Sequence, residues 1–137
     1  MLNREDVHHS CNGLNALTTG TISTNTTTSG ETIDRADYLG IEYFVKLETV
    51  AGTGVFALKV QESDDGSSWS DVSTEETLGV ASFDASTDSA DDVKRIGTVS
   101  KKRYSRLQIV STGVATGSAF NAMVVLTTPR DEPVADN

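Results

Sequence analysis

The sequence predicts an all-β fold, in the form of a single antiparallel β-sandwich or jelly-roll-like domain with an extended N-terminal arm. Three observations support this prediction. Apolar and polar residues alternate with a period of two in four separate segments, as they do in half-buried strands. No window shows the spacing and the start and stop signals of an amphipathic helix. Glycines lie between the alternating segments, in TVAGTGV and STGVATGSA, as they do in strand connections.

The first 30 residues are predicted to form an arm that lies outside the compact core or only partly in it. Residues 18–32, TTGTISTNTTTSGET, are almost all Thr, Ser, Gly and Asn, so they can bury little apolar surface. Threonine also favours extended backbone, and an arm that lays a strand along a partner's sheet edge is the alternative to a disordered terminus. Thr26, Thr27 and Thr28 are therefore candidate partner contacts.

The sandwich domain is predicted to span residues 31–128, with a short C-terminal tail at residues 129–137. Its clearest strands are IEYFVKLE, VFALKVQ, RLQIV and FNAMVVL. The first of these places four apolar residues on one face, whereas Phe44 interrupts the polar face; the four are Ile41, Tyr43, Val45 and Leu47. Weaker segments near residues 78–83 and 93–99 bring the expected count to six to eight strands, which is typical of a sandwich or jelly roll.

Composition favours one soluble domain with one core. The chain has 137 residues, of which 23% are charged and 36% hydrophobic. No apolar run approaches the ~20 residues of a membrane helix, and the N-terminus has no apolar stretch of a secretory signal. One cysteine, Cys11, excludes an intramolecular disulfide. A net charge of −9 argues against nucleic acid as the main partner.

Charge is unevenly distributed along the chain. Residues 62–92 contain ten acidic residues and no Lys or Arg, whereas six of the eleven basic residues lie in residues 94–106. One interpretation is a pair of solvated segments, with lysines that discourage edge aggregation. The other is a bipolar surface that docks on a neighbour or on a copy of the chain. On that interpretation the candidate partner contacts are Lys101, Lys102, Arg103 and Arg106.

The stretch VQESDDGSSWSDV, residues 60–72, has three interpretations. A calcium loop is disfavoured because its carboxylates occupy alternate positions, whereas Asp64 and Asp65 are adjacent. The stretch resembles a turn of discoidin-type carbohydrate-binding sandwiches, but a sugar site needs exposed aromatic residues and the chain contains 6%. A hairpin turn is favoured, with Gly66 at positive φ and Trp69 folded back to cap the core. The structural turn residues are then Asp64, Asp65, Gly66 and Trp69.

Catalysis is not expected. His8, His9 and Cys11 supply three potential zinc ligands, whereas a structural site uses four. A nucleophilic triad needs a histidine held within the fold, and both histidines lie in the predicted arm. The chain also lacks a phosphate-binding glycine loop. The sequence therefore predicts no enzyme activity, no metal, no cofactor and no small-molecule substrate.

Two motifs, taken in order, resemble a family of small virion proteins of tailed bacteriophages. Members typically contain L-Q-E-S-D-D-G-x-x-W, then K-I-G-Y-x-G-x-K-R-Y-x-R, and end in a short Pro-containing tail. This chain has VQESDDGSSW, later KRIGTVSKKRYSR, and finally TTPRDEPV, so the resemblance spans about residues 38–134. It departs from the pattern at Thr98, where an aromatic residue is usual, and at Ser100, where glycine is usual.

This resemblance implies a structural protein of the virion that decorates or cements the capsid. Its partner would be the major capsid protein, contacted on the outer shell so that coat subunits are bridged, after assembly in the host cytoplasm. A homo-oligomer is expected, since proteins on capsids lie at or near symmetry axes. A head–tail or tail-associated location and a carbohydrate-binding module are the alternatives.

Overall fold

The computed structural model describes residues 7–79 and 82–129, which form eleven β-strands. In chain order the strands are β1 (Cys11–Thr18), β2 (Thr27–Ser29), β3 (Ile33–Asp34), β4 (Tyr38–Thr49), β5 (Val55–Ser63), β6 (Ser70–Asp71), β7 (Thr77–Leu78), β8 (Ser82–Asp84), β9 (Val93–Thr98), β10 (Tyr104–Thr112) and β11 (Ala119–Pro129). No helix occurs in these two ranges, which confirms the all-β prediction. Accordingly, the described residues offer no helix able to cross a membrane.

The strands form two antiparallel sheets. The five-stranded sheet has the order β1-β11-β4-β9-β7. The second sheet has the order β2-β10-β5-β6, with β3 also paired to β10 and β8 to β5. Because the inward faces of both sheets contribute to one buried cluster, the predicted β-sandwich is confirmed.

The core is built from the residues that the alternation places on one face. In β4 the four predicted inward residues are at most 4% exposed, and the outward positions between them are half-buried. Three phenylalanines lie at its centre, where the Phe120 ring is 4.9 Å from that of Phe56 and 5.4 Å from that of Phe83. Tilted ring pairs at this spacing stabilise a core beyond their area burial.

The predicted N-terminal arm differs from the structure. Residues 11–18 form β1, which pairs antiparallel with β11 from Cys11 to Thr18. Ala16, Leu17 and Ile22 are buried in the core. Further on, β2 pairs with β10, so the Thr-rich segment also belongs to the sandwich. The prediction from composition was wrong for this segment, because a few correctly spaced apolar residues are sufficient to pack the strand on the core while its polar residues stay in water.

Short strands account for most of the other differences. Besides β1, the unpredicted elements are β2, β3 and β6, each of two or three residues, which is too short for an alternating pattern. The weak segment near residues 78–83 resolves into β7 and β8, which belong to different sheets. The predicted tail at residues 129–137 lies outside the described residues beyond Pro129.

The two ends of the sandwich differ in which loops they carry. At one end, called the turn end here, lie the β3–β4 turn, the β5–β6 turn and the β9–β10 loop. The registers fix this arrangement, because Ile41 pairs with Thr98 in one sheet and Ser63 pairs with Tyr104 in the other. The acidic loop at residues 85–92 lies at the opposite end, where Lys46 pairs with Val93.

Candidate functional site

The β5–β6 turn is held by side chains that substitute for backbone partners. The Ser63 hydroxyl accepts the N–H of Gly66 at 2.9 Å and donates to Asp65 Oδ1 at 2.9 Å. The same Asp65 oxygen accepts the N–H groups of Ser67 and Ser68, each at 2.8 Å. Beyond the turn, Gln61 pairs with Asp71 and β6 continues the sheet. The structure therefore places Asp64, Asp65 and Gly66 in a hairpin connection longer than the two-residue turn that Asp-Gly suggests.

Asp65 is expected to titrate well below an ordinary aspartate. The N–H groups of Ser68 and Ser67, followed by the Ser63 hydroxyl, lower the pKa of Asp65 to about 2. Since the folded pKa lies below the unfolded value of about 4, its stabilising contribution is complete above that pH and is lost as pH falls through about 2. NMR titration of the carboxyl carbon checks this. Ser63→Ala should raise the Asp65 pKa, and an Asp65 titration near pH 4 in the unmodified chain contradicts the prediction.

Gly66 adopts a backbone conformation that side chains disfavour. A Cβ atom there would lie 3.7 Å from the Tyr104 ring, so a side chain has enough space. The φ angle of +77°, however, is one that residues with a Cβ atom rarely adopt. Gly66→Val is therefore expected to lower the free energy of unfolding by ~1–3 kcal/mol. Gly20→Val is the matched control, because no atom lies within 4 Å of its Cβ position. Urea unfolding of both variants measures the difference, and equal midpoints would refute the turn assignment.

Trp69 lies on the outside of the second sheet and does not cap the core as predicted. It is half-buried, and the guanidinium carbon of Arg106 lies 4.4 Å from its ring centroid. Arg106 Nε donates to Gln61 Oε1 at 2.8 Å, and Gln61 Nε2 donates to Asp71 Oδ1 at 2.7 Å. The outward positions of β10, β5 and β6 are thus joined in one polar chain. Stacking on a cation, instead of burial in the core, explains the position of the ring.

The basic segment lies against acidic partners of the same chain. Lys102 Nζ is 3.3 Å from Asp64 Oδ2, and Arg103 makes a two-pronged contact with Asp34 at 2.8 and 3.1 Å. Lys101 is exposed and lines a notch with Leu39. The bipolar docking hypothesis therefore stays a prediction. Acidic and basic residues are mixed at both ends, because Lys102 pairs with Asp64 at the turn end and Lys94 Nζ lies 3.0 Å from Asp88 Oδ2 at the other.

The threonine candidates lie at the edge of the second sheet. Thr27 pairs with Val110 and Thr28 with Ile109. The Thr26 carbonyl accepts the N–H of Ser111 at 2.8 Å, which continues this pairing. Thr26 and Thr27 are exposed to solvent, but their backbone is fixed in the sandwich.

The two motifs of the sequence meet in one surface, which we call the motif face. It comprises residues of the β5–β6 turn, of the end of the β9–β10 loop and of the beginning of β10: Asp64, Asp65, Gly66, Trp69, Lys102, Tyr104 and Arg106. A shallow cavity of about 280 Å³ at this face is lined by Asp64, Asp65, Ser68, Trp69, Ser70 and Lys102. The cavity thus presents an aromatic ring, two carboxylates and an ammonium group, which could form hydrogen bonds and ion pairs with a polar partner.

The remaining residues with chemically active side chains considered from the sequence are His8, His9, Cys11 and Tyr43. Across residues 7–79 and 82–129, no group of three or more His, Cys, Asp or Glu side chains could hold a metal ion. The rings of His8 and His9 contact each other edge to face with centroids 4.7 Å apart, and Cys11 Sγ lies 3.1 Å from the Val7 carbonyl oxygen. Tyr43 is fully buried, and burial raises its pKa despite the 2.8 Å hydrogen bond to Ser105. Because its ring is buried, Tyr43 is not available to stack on a sugar.

One buried charge was not identified from the sequence. Arg35 is 4% exposed, and its guanidinium donates to the carbonyls of Ser100 and Leu39, each at 2.6 Å. It joins the β3–β4 turn to the β9–β10 loop, next to the motif face. In the sequence it stands between Asp34 and Asp37, a pattern that predicts a solvated arginine.

Comparison with known proteins gives a likeness in fold. No family model matches the chain, and no curated protein matches it. Among solved structures, the chain is similar to PBSX exported protein XepA, with a TM-score of 0.54 and 17% sequence identity. The alignment covers 91% of this chain and 39% of that chain, so this chain spans about two fifths of the length of XepA. At this identity the likeness shows a shared fold.

Proposed function

We propose that the chain is a structural protein of a bacteriophage virion that binds the outer capsid shell as a decoration or cement protein. Its partner on this proposal is the major capsid protein, and its location is the exterior of the particle. It acts by contact and carries out no reaction, so it requires neither a cofactor nor a small-molecule substrate.

One observation carries this proposal. The two motifs in which the sequence resembles phage virion proteins are separated by 24 residues, yet they form one surface. Asp64 and Lys102 are joined by an ion pair, Trp69 is stacked by Arg106, and Gly66 lies against the ring of Tyr104. Pairing of β5 with β10 brings the two motifs together, and their side chains then contact one another across the two strands. Their convergence supports a shared structural or docking role for the motif face.

The fold comparison supports the coarser part of the proposal. PBSX exported protein XepA is phage-related, and the sandwich of this chain is similar to part of it. The likeness supports a phage-related role, whereas the assignment to the capsid exterior depends on the motifs.

A rigid module with contacts to two coat subunits is sufficient for reinforcement. Bridging converts separate weak contacts into one multivalent attachment. The extended reach first expected of residues 1–30 is not required, since residues 11–18 belong to the sandwich. The contacts would instead come from fixed surfaces, of which the motif face is our first candidate.

Co-sedimentation with shells assembled from the major capsid protein tests the proposal. We expect the chain to bind at a fixed ratio to coat subunits, and Lys102→Glu to weaken binding about tenfold. Ala115→Glu adds an acidic residue to an exposed loop at the opposite end and is the matched control. Loss of binding in both variants, or in neither, removes the motif face from the mechanism. A particle reconstruction with this density on the tail would favour the tail-associated alternative.

A carbohydrate-binding module is the second candidate, and the Trp69 cavity is the observation that favours it. A glycan array distinguishes the two functions. Specific binding that is lost on Trp69→Ala, together with no co-sedimentation with shells, would support the carbohydrate module.

A further inference from the structure

The outward face of the five-stranded sheet has an apolar centre. Phe44 of β4 pairs with Met123 of β11, and both side chains point away from the core. Met123 is 47% exposed, while Phe44 and the neighbouring Val125 are half-buried. We call this surface the outer sheet face. Outward positions of a sheet that faces water are ordinarily polar, so three apolar residues at its centre indicate a contact surface.

Glycines flatten this face. The terminal methyl of Met123 lies over Gly13, 3.1 Å from where a Cβ atom would be. The carboxylate of Glu42 lies over Gly97 in the same way. These side chains therefore lie along the sheet where they would otherwise project from it. A flat face is what packing against a second sheet about 10 Å away requires.

The charges on β4 are ordered so that the face complements itself. Glu42, Phe44 and Lys46 point outward in sequence, giving an acidic, an apolar and a basic position. Lys46 is 44% exposed, and its Nζ also lies 3.2 Å from Asp91 Oδ1 and 3.9 Å from Glu48 Oε1 of its own chain. A two-fold axis that crosses the strands at Phe44 reverses this order in the second copy. Glu42 of each copy then faces Lys46 of the other, and the Phe44–Met123 pairs meet at the axis. Arg95, which pairs with Phe44 from β9, is exposed and lies on the same axis, so the two copies of this arginine must extend past each other.

We propose that the outer sheet face is a self-association surface, on which a second copy of this chain docks about a two-fold axis through the Phe44–Met123 pair. A two-fold interface must be self-complementary, and the Glu42–Phe44–Lys46 order meets that condition. The inference is independent of the proposed function, because it rests on the opposite sheet from the motif face.

Sedimentation equilibrium of the purified chain tests the apolar centre. Protein concentrations of about 1–100 µM are used, so that a weak interface is also detected. We expect a monomer–dimer equilibrium that Met123→Asp shifts to monomer. Val55→Asp is the matched control, since Val55 is 40% exposed on the other sheet, and it should leave the equilibrium unchanged. A monomer throughout that range, or a dimer that Met123→Asp leaves intact, overturns the proposal.

Charge exchange tests the axis even if the Met123 variant fails to fold. Glu42→Lys and Lys46→Glu each turn two attractive pairs between copies into two repulsive ones, so each should raise the dissociation constant about tenfold or more. Lys46→Glu also removes the contacts to Asp91 and Glu48 of the same chain, so its dissociation constant is compared at temperatures where the variant is folded. The double variant restores complementarity with the signs exchanged and should recover dimerisation. A double variant as weak as the two single variants would contradict this axis and overturn the proposal.

Discussion

Deletion of residues 1–18 is expected to abolish the cooperative unfolding transition of the domain. The deletion removes β1, which pairs with β11 along its length. It also removes the side chains of Ala16 and Leu17, which are 0% and 4% exposed. Loss of a buried leucine alone costs about 2–5 kcal/mol, and a domain of this size has only about 5–15 kcal/mol in total. Loss of a whole edge strand should exceed what remains.

Circular dichroism with thermal denaturation measures this effect. Deletion of residues 1–10 is the control, because the pairing with β11 begins at Cys11 and should survive. Leu17→Asp places a charge at a buried position and should destabilise the full-length chain in the same direction. A cooperative melt in the 1–18 deletion, at the temperature of the full chain, would contradict the assignment of β1 to the core and restore the arm interpretation.

The difference between the predicted arm and the observed strand has a physical origin. Composition measures how much apolar surface a segment could bury, and residues 18–32 contain little. It does not measure whether the few apolar residues nearby reach a core that other strands have already formed. Ala16, Leu17 and Ile22 reach it, since β11 and the loop before it present the partner backbone groups. Such docking depends on distant residues and leaves no local pattern.

Where the local pattern was strong, prediction succeeded. The alternation in β4 predicted which residues point inward, because a half-buried strand fixes its register through its apolar face. The interruption at Phe44 was visible in the sequence as well. The consequence of this interruption could not be predicted, because only the pairing of Phe44 with Met123 reveals an apolar centre on the outer sheet face.

In the candidate site, too, local contacts were predictable from the sequence and long-range contacts were not. The turn chemistry of Ser63, Asp65 and Gly66 is local, since each contact joins residues at most three apart, and the sequence predicted a turn there. The stacking of Arg106 on Trp69 joins residues 37 positions apart and depends on the pairing of β5 with β10. Sequence alone therefore suggested a burial site for Trp69 that the structure does not provide.

The buried Arg35 is the least predictable element and the one with the largest expected effect for a single side chain. Its guanidinium donates to the carbonyls of Leu39 and Ser100. The backbone N–H of Arg35 donates to the Arg103 carbonyl at 2.9 Å. The Ser100 hydroxyl in turn donates to the carboxylate of Glu62. One cation thereby links the β3–β4 turn, the β9–β10 loop and β5 behind the motif face.

Arg35→Met is expected to lower the free energy of unfolding by about 2–4 kcal/mol, because one buried and one partly buried carbonyl lose a charged donor while most of the side-chain volume remains. Arg35→Lys should lose less, since a single ammonium keeps the charge but does not reproduce the planar fork that reaches both carbonyls. Arg103→Met is the matched control. That arginine is 55% exposed and pairs with Asp34 at the surface, so its loss should cost below about 1 kcal/mol.

Urea denaturation midpoints at equal slope give these differences directly. The expected order of stability is unmodified chain, Arg103→Met, Arg35→Lys and Arg35→Met. Because Arg35 anchors the loop that carries Lys102, the Arg35 variants should also weaken shell binding at temperatures where they remain folded. If Arg35→Met proved as stable as Arg103→Met, the guanidinium could not be the link between the two connections, and the motif face would have to be held by the strands alone.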